Sequence, residues 1–274
     1  MCIRDRSNNE MFFLNNDLLN TTNDLNLVPD DNFQSFVTEC NSLGNDLLDT
    51  LNPSDSELDF HNNINSKYYH ISQFNKIITN SNSTLGICHT NIASLSLHID
   101  DLRIVLSQLK KELHIIGISE HKIKKGIDPV VNLDIEGYNP FIFDPTETTH
   151  GGTGFYVSNS INYKKRDDLK QTSKTDFEST FIEVILPNRK NLILGCIYRH
   201  PSSTMSIKDF NENFLEVVFN KISREGKLCS IMGDFNLDLL KIETDNGIND
   251  FYNTLTSNFF CLILCNQQDL LQSH

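Results

Sequence analysis

The chain reads as an α/β protein, because short apolar runs of strand length alternate with a helical pattern and each run delivers a polar residue at its carboxyl end. In Thr84 to Leu95 (TLGICHTNIASL) the apolar stretch ends at Asn91, and Leu95, Ile99, Leu102, Leu106, Leu109 and Leu113 then recur at helical spacing. Ser94, just before that stripe, is suited to cap the helix start. His114 to Ile123 (HIIGISEHKI) is a second buried strand, ending in Glu120. Open α/β sheets place their sites at the carboxyl ends of such strands.

Two further runs complete the pattern. Leu192 to Pro201 (LILGCIYRHP) is a strand that carries Tyr198 before a turn, and Ile231 to Asp238 (IMGDFNLD) is a strand that runs into Gly233. Side chains two apart on an extended segment point the same way, so Asp234 and Asn236 would face one site. A glycine beside them lets the backbone turn or approach a ligand. An Asp-x-Asn sequence also occurs in turns, where the side chain caps the local backbone. Asn91, Glu120, Asp234 and Asn236 together form an oxygen-donor set without His or Cys, which suits a hard ion such as magnesium.

Other residues have plainer readings beside the chemical ones. His89 lies in a strand and His121 follows Glu120 on the opposite strand face, so both suit packing better than catalysis. Gly151 and Gly152 resemble a phosphate cradle, but no helix follows and a tight hairpin connection fits better. Arg199 and His200 precede Pro201 in a site-facing loop, where either a phosphate contact or a loop role is open. Ser206 is placed to cap a helix whose core stripe is Ile207, Phe210, Phe214, Val217 and Ile222. Two basic triplets, Lys122 with Lys124 and Lys125, and Lys164 with Lys165 and Arg166, read as solvated loop charge.

Asn91 in HTNIASL, Glu120 in ISEHKI, the glycine pair in HGGTGFYV, Tyr198 in CIYRHP, and Asp234 with Asn236 in MGDFNLD resemble, in order and spacing, the endonuclease/exonuclease/phosphatase family. The wording is most similar to the endonuclease domain of non-LTR (LINE-type, jockey-like) retrotransposon polyproteins, over roughly Tyr68 to Phe260. The resemblance implies a four-layer sandwich of two mixed β-sheets flanked by helices, and a magnesium-dependent (or manganese-dependent) endonuclease that nicks DNA. On that basis Glu120 is the main metal ligand, assisted by Asn91 at the metal or phosphate. Tyr198 contacts the scissile phosphate, Asp234 activates the attacking water and Asn236 orients it. Arg199 and His200, from their place in the site-facing loop rather than from the resemblance, are the candidate substrate-binding residues. A reverse transcriptase would follow in an intact element. A phosphomonoesterase of the same family, or a non-catalytic remnant, are the alternatives.

One departure counts against full activity. The family closes on a serine-aspartate-histidine motif, and this chain contains no Asp-His dipeptide. The final stretch FFCLILCNQQDLLQSH also lacks the family's usual text, so a frameshifted or degenerate copy with the last strands missing is expected, impaired in catalysis.

Composition fits an intracellular protein, and the resemblance implies a nuclear one when acting on DNA. Seven cysteines include no CxxC pair, and Cys88, Cys196 and Cys229 fall inside apolar strands, as reduced core residues do. No apolar stretch is long enough to span a membrane. The first eighty residues hold 16 Asn, 12 acidic and 4 basic residues with scattered apolar positions. Residues 1–67 are therefore expected to be a disordered acidic leader, with 1–7 foreign to the rest, and 68–274 the catalytic domain. Of the net charge of −13, −5 falls on residues 81–274. DNA binding should then be weak and salt-sensitive unless other domains add affinity.

Overall fold

The computed structural model describes residues 2–4, 10–14, 71, 74–75, 85–127, 129–187, 190–257 and 261–264. In chain order the elements are β1 (Cys2–Arg4), β2 (Glu10–Leu14), β3 (Ile87–Asn91), α1 (Leu95–Gln108), β4 (Ile115–Ser119), β5 (Ile142–Phe143), β6 (Thr153–Val157), β7 (Tyr163–Lys165), β8 (Thr172–Ser173), β9 (Phe177–Val184) and β10 (Leu192–Arg199). Helix α2 follows as one continuous rod with a first turn Ile207–Phe210, a π-helical turn Asn211–Leu215 and a body Glu216–Glu225. Strand β11 (Leu228–Asp234), helix α3 (Asn246–Ser257) and strand β12 (Cys261–Leu264) complete the described chain.

Two mixed sheets result. One has the order β1-β2-β3-β4-β6-β5, the other β12-β11-β10-β9-β7 with β8 beside β9. Each is built on the same unit, a parallel strand pair joined through a helix. In the first sheet β3 and β4 are joined through α1, in the second β10 and β11 through α2, and an antiparallel strand, β6 or β9, flanks each pair. Strands β4, β6, β9 and β10 are buried along their whole length, so they read as continuous apolar runs rather than alternating ones.

Three apolar layers hold these parts together. Between the sheets, Ile87, Ile115, Phe155 and Val157 meet Ile182, Leu194, Cys196 and Met232. The packing is tight enough that a Cβ on Gly117 would sit 2.4 Å from the Met232 sulfur. Outside the first sheet, Leu95, Ile99 and Leu102 of α1 cover Cys88, Ile116 and Ile118. Outside the second, Phe210, Phe214, Val218 and Ile222 of α2 and Phe251 and Leu255 of α3 cover Ile193, Ile197 and Ile231. The architecture is thus helix, sheet, sheet, helix, as expected from the sequence. Cys88, Cys196 and Cys229 are buried free thiols.

Several local expectations need correction. Ser94 occupies the N-cap position of α1, but its side chain makes no capping bond; its carbonyl accepts from Leu97 and His98 instead. Ser206 does cap α2, accepting from the Asp209 N–H at 3.0 Å. Val217, expected in the core stripe, is half exposed, and Val218 takes its place at 2 % exposure. The π-helical turn inserts one residue into the helical repeat and rotates everything after it by one position. The basic triplet Lys164 to Arg166 is structural, since Arg166 is buried against Asp168, Glu183 and Glu225, and Lys164 pairs with Glu183.

Two pieces of the segment expected to be disordered, β1 and β2, are strands, and β2 pairs antiparallel with β3. An open edge strand offers main-chain donors and acceptors to any extended segment, whatever its side chains. The remainder of 1–67 lies outside the described residues. At the other end β12, inside the stretch expected to be altered, pairs parallel with β11 and continues the second sheet, while residues 265–274 lie outside the described residues.

The phase shift in α2 predicts opposite outcomes for similar substitutions. Phe214→Ala should lower the unfolding free energy by about 3–5 kcal/mol, and Val217→Ala should change it by no more than about 0.5 kcal/mol, both read by urea denaturation.

Candidate active site at the shared edge of the two sheets

The carboxyl ends of β3, β4, β10 and β11 meet at one edge of the sandwich. Asn91, the last residue of β3, donates from Nδ2 to Glu120 Oε1 at 3.1 Å and to Asp234 Oδ2 at 2.8 Å. One amide nitrogen therefore spans two carboxylates, one from each sheet. Tyr198, next to last in β10, donates its hydroxyl to Glu120 Oε1 at 3.0 Å. Lys122 pairs with the other oxygen, Oε2, at 3.0 Å. The Asp234 carboxylate accepts the backbone N–H of Asn236 at 3.1 Å, and the Asn236 amide donates to the Arg199 carbonyl at 2.7 Å.

Asn236 reaches the site by a different route from the one the spacing suggests. Strand β11 stops at Asp234, and Asn236 has φ 50°, so the two residues are joined by a turn capped by the Asp234 side chain rather than by strand alternation. The capping reading of Asp-x-Asn is realised, and the same turn leaves Asp234 on the Asn91 amide and Asn236 on the Arg199 carbonyl. Glu120 likewise lies one residue beyond β4 with φ 55°. Among the described residues the non-glycine residues with positive φ are Ala93, Glu120, Lys122 and Asn236, and all four lie on the loops around this cluster. Backbone held in that region costs on the order of 1 kcal/mol or more per residue and persists where surrounding contacts enforce it. Here they do: Ala93 N–H donates to Asn91 Oδ1, Leu95 N–H to the His121 carbonyl, and Lys122 N–H to the Gly151 carbonyl. At Gly233 a Cβ would fall 1.8 Å from the Ile197 carbonyl oxygen, so only glycine lets β11 lie this close to β10.

The electrostatics follow from burial and these bonds. Burial by itself raises the Glu120 pKa, but hydrogen bonds from Asn91, Lys122 and Tyr198 and the Lys122 charge outweigh it and hold the carboxyl below its ordinary value. The Tyr198 phenol is pushed up, first by burial and then by the negative charge of Glu120 and Asp234, so it stays protonated and a donor.

Of the other sequence-selected residues, His200 comes to the cluster and Arg199 does not. The Tyr198 and His200 rings meet edge to face at 5.0 Å. Arg199 turns the other way, over the Phe210 ring and onto the Met205 carbonyl, and is buried. Alternation along an extended strand end puts neighbouring residues on opposite faces, so Tyr198 and Arg199 could not both face the cleft. His89 bonds Ser119, and His121 packs edge-on to Phe141 and Phe143 while its Nδ1 accepts the Ile123 N–H. Both are core residues. Lys122, Asp176 and Glu178 are additional charged groups around the cleft. Asp176 ties down the loop after β10 by accepting from Ser203, Thr204 and Met205. A carboxylate inside the buried run FESTFIEV was the one sequence signal that could have pointed to Glu178.

Among the described residues no group of three or more His, Cys, Asp and Glu side chains is arranged to hold a metal. The two carboxylates beside an amide nonetheless fit magnesium, which keeps most of its ligands as water and substrate phosphate and takes one or two carboxylates from the protein. Lys122 occupies one Glu120 oxygen, as a counter-cation would. A polar groove of about 520 Å³ adjoins the cluster at Thr153 and Glu178. Of its lysines, Lys170 pairs with Asp144 and Lys174 with Glu147.

Compared with protein-family models and with curated proteins, the sequence gives no match. Solved structures with a similar course of chain include the AP endonuclease LMAP from Leishmania major, at 15 % identity and TM-score 0.45, with 61 % of this chain covering 65 % of that one. The 3′ phosphatase NExo from Neisseria, bound to a product DNA hairpin, aligns at 14 % identity and TM-score 0.39 over 61 % of this chain and 68 % of its own. The catalytic domain of APE2 from Xenopus laevis aligns at 16 % and 0.40, over 60 % of this chain and 65 % of its own. The chain thus spans just under two thirds of the Leishmania and Xenopus structures. No helix among the described residues is long and apolar enough to cross a membrane.

The packing of His121 gives a pH prediction. Burial lowers its pKa from 6.5 to about 4. The folded value lies below the unfolded one, so the unfolded chain binds more protons between them. The stability contributed by neutral His121 is complete above pH 6.5 and is lost as the pH falls toward about 4. Proton NMR of the folded protein should show its ring titrating near that value. An ordinary midpoint near 6.5 would contradict the buried placement.

Proposed function

We propose that the cleft hydrolyses phosphodiester bonds of DNA with the help of a divalent cation, as an endonuclease of the endonuclease/exonuclease/phosphatase type from a LINE-like retrotransposon. The observation that carries this reading is the Asn91 amide held between Glu120 and Asp234, with Tyr198 on the same Glu120 oxygen. Glu120, with Asn91 beside it, would hold magnesium or manganese, which when bound would stabilise charge on the phosphate oxygens. Asp234, anchored on the Asn236 N–H, would take a proton from the attacking water. Asn236, fixed to the Arg199 carbonyl, limits where that water can sit. Tyr198, protonated and a donor, supplies a hydrogen bond for a phosphate oxygen once Glu120 turns to the cation.

The order and spacing of these residues, with the resemblance of their surroundings to retrotransposon endonucleases, favours DNA over small phosphate esters. Nicking would leave a 3′-hydroxyl for a reverse transcriptase encoded downstream, in the nucleus. The acidic balance, with Lys170 and Lys174 of the groove already paired, supports weak, salt-sensitive contact with the DNA backbone.

Relaxation of supercoiled plasmid at low salt tests this. Slow nicking that requires magnesium or manganese is expected, and Asp234→Asn or Glu120→Gln should reduce it by about 10²–10⁴-fold. Metal-independent nicking, or nicking that survives Asp234→Asn, would refute the assignment.

A further inference from the structure

A second carboxylate stands behind the cleft, and it is paired with a histidine. Glu178 lies on β9 directly opposite Tyr198 of β10, and its Oε2 accepts the Gly152 N–H. His200 sits two residues past Tyr198 with its Nε2 3.8 Å from that same oxygen. The Nε2 atom is buried without a hydrogen-bond partner, and the side chain is 8 % exposed. The nearby glycine turn is shaped around the pair. Gly151 and Gly152 have φ of 83° and 92°, and a Cβ on Gly151 would lie 2.1 Å from Glu178 Oε2 and 2.9 Å from the His200 ring. The glycine pair is therefore needed for space as well as for its turn.

A carboxylate 3.8 Å from one ring nitrogen, close enough for an ion pair with the imidazolium though not for a hydrogen bond, favours a proton on that nitrogen and leaves the other nitrogen to serve a substrate. We propose that His200, backed by Glu178, donates a proton from Nδ1 to the leaving oxygen when a phosphodiester is cut in this cleft. The proposal rests on the hydrolase reading above. In the step, the water oxygen bonds to phosphorus and its proton passes to Asp234. The bond from phosphorus to the ester oxygen breaks, and that oxygen keeps the electron pair and takes the Nδ1 proton of the His200 imidazolium. Solvent then reprotonates His200 and accepts the proton held by Asp234, so the net change is one ester and one water to one phosphate monoester and one alcohol. Glu178 acts through His200 and is a positioning residue.

The charges facing the ring come from every element around it. Burial lowers the His200 pKa, Glu178, Asp176 and Glu120 oppose that, and His150 adds to it. An arriving phosphate adds negative charge on the same side and favours the imidazolium when the substrate is in place.

The experiment compares two substrates on the full chain. Supercoiled plasmid loses an alkoxide, which needs a proton, and bis(p-nitrophenyl) phosphate loses a nitrophenolate, which does not. His200→Ala and the isosteric Glu178→Gln should slow plasmid nicking, by about 10²–10⁴-fold for His200→Ala, and slow nitrophenolate release far less. Equal losses on both substrates would overturn the proposal while sparing the hydrolase reading. A wild-type chain inactive on both, with magnesium or manganese, would overturn both. Nitrogen-15 NMR adds a readout independent of turnover: His200 should be protonated at Nε2 when neutral, and an Nδ1–H tautomer would contradict the pairing.

Discussion

A single side-chain amide ties the two halves of the molecule together at their working edge. Asn91 ends a strand of one sheet and donates to carboxylates of both, so the position of Glu120 relative to Asp234 depends on the stacking of the sheets as well as on local loops. That stacking is fixed by a dry layer in which Ile115 and Phe155 meet Leu194 and Met232. The loops that carry the polar groups are held in left-handed backbone at Ala93, Glu120, Lys122 and Asn236, each braced by a hydrogen bond or ion pair to a neighbour. Strain gathered around one cleft and absorbed by a rigid double sheet is the arrangement expected of a preorganised polar site.

Much of this was legible in the sequence where a side chain's role follows from its strand. The buried runs around Ile116, Ile193 and Ile231 announce strands by apolar content alone, and Asn91, Tyr198 and Asp234 come together because they end or nearly end such strands. Glu120 follows its strand by one residue, so its arrival is also near strand logic. Asn236 is not, since a turn rather than alternation places it. Arg199 failed for the same reason in reverse: strand alternation carries it to the helix side, against Phe210. Val217 and Val218 could not be separated by periodicity, because the π-helical turn breaks the period that such a count assumes. Glu178 and Lys122 become visible only when β9 is laid beside β10 and the Glu120 loop is closed.

The charge distribution gives the cleft a particular character. Carboxylates converge while most nearby lysines are already engaged: Lys122 with Glu120, Lys170 with Asp144, Lys174 with Glu147. A site of this kind draws a small hard cation more readily than it draws a polyanion. On the proposed hydrolase reading, binding a phosphodiester would depend on the cation to offset the repulsion. On this account Lys122 is a counter-ion for Glu120 that must yield when a divalent ion arrives.

The most direct test of that account is a manganese soak of crystals with anomalous scattering. A peak bonded to the Glu120 carboxylate, with Asp234 beside it and the Lys122 ammonium displaced, is the predicted result. A Glu120 carboxylate still paired with Lys122 in saturating manganese, with the metal bound elsewhere or nowhere, would contradict a cation-dependent hydrolase at this edge of the sandwich.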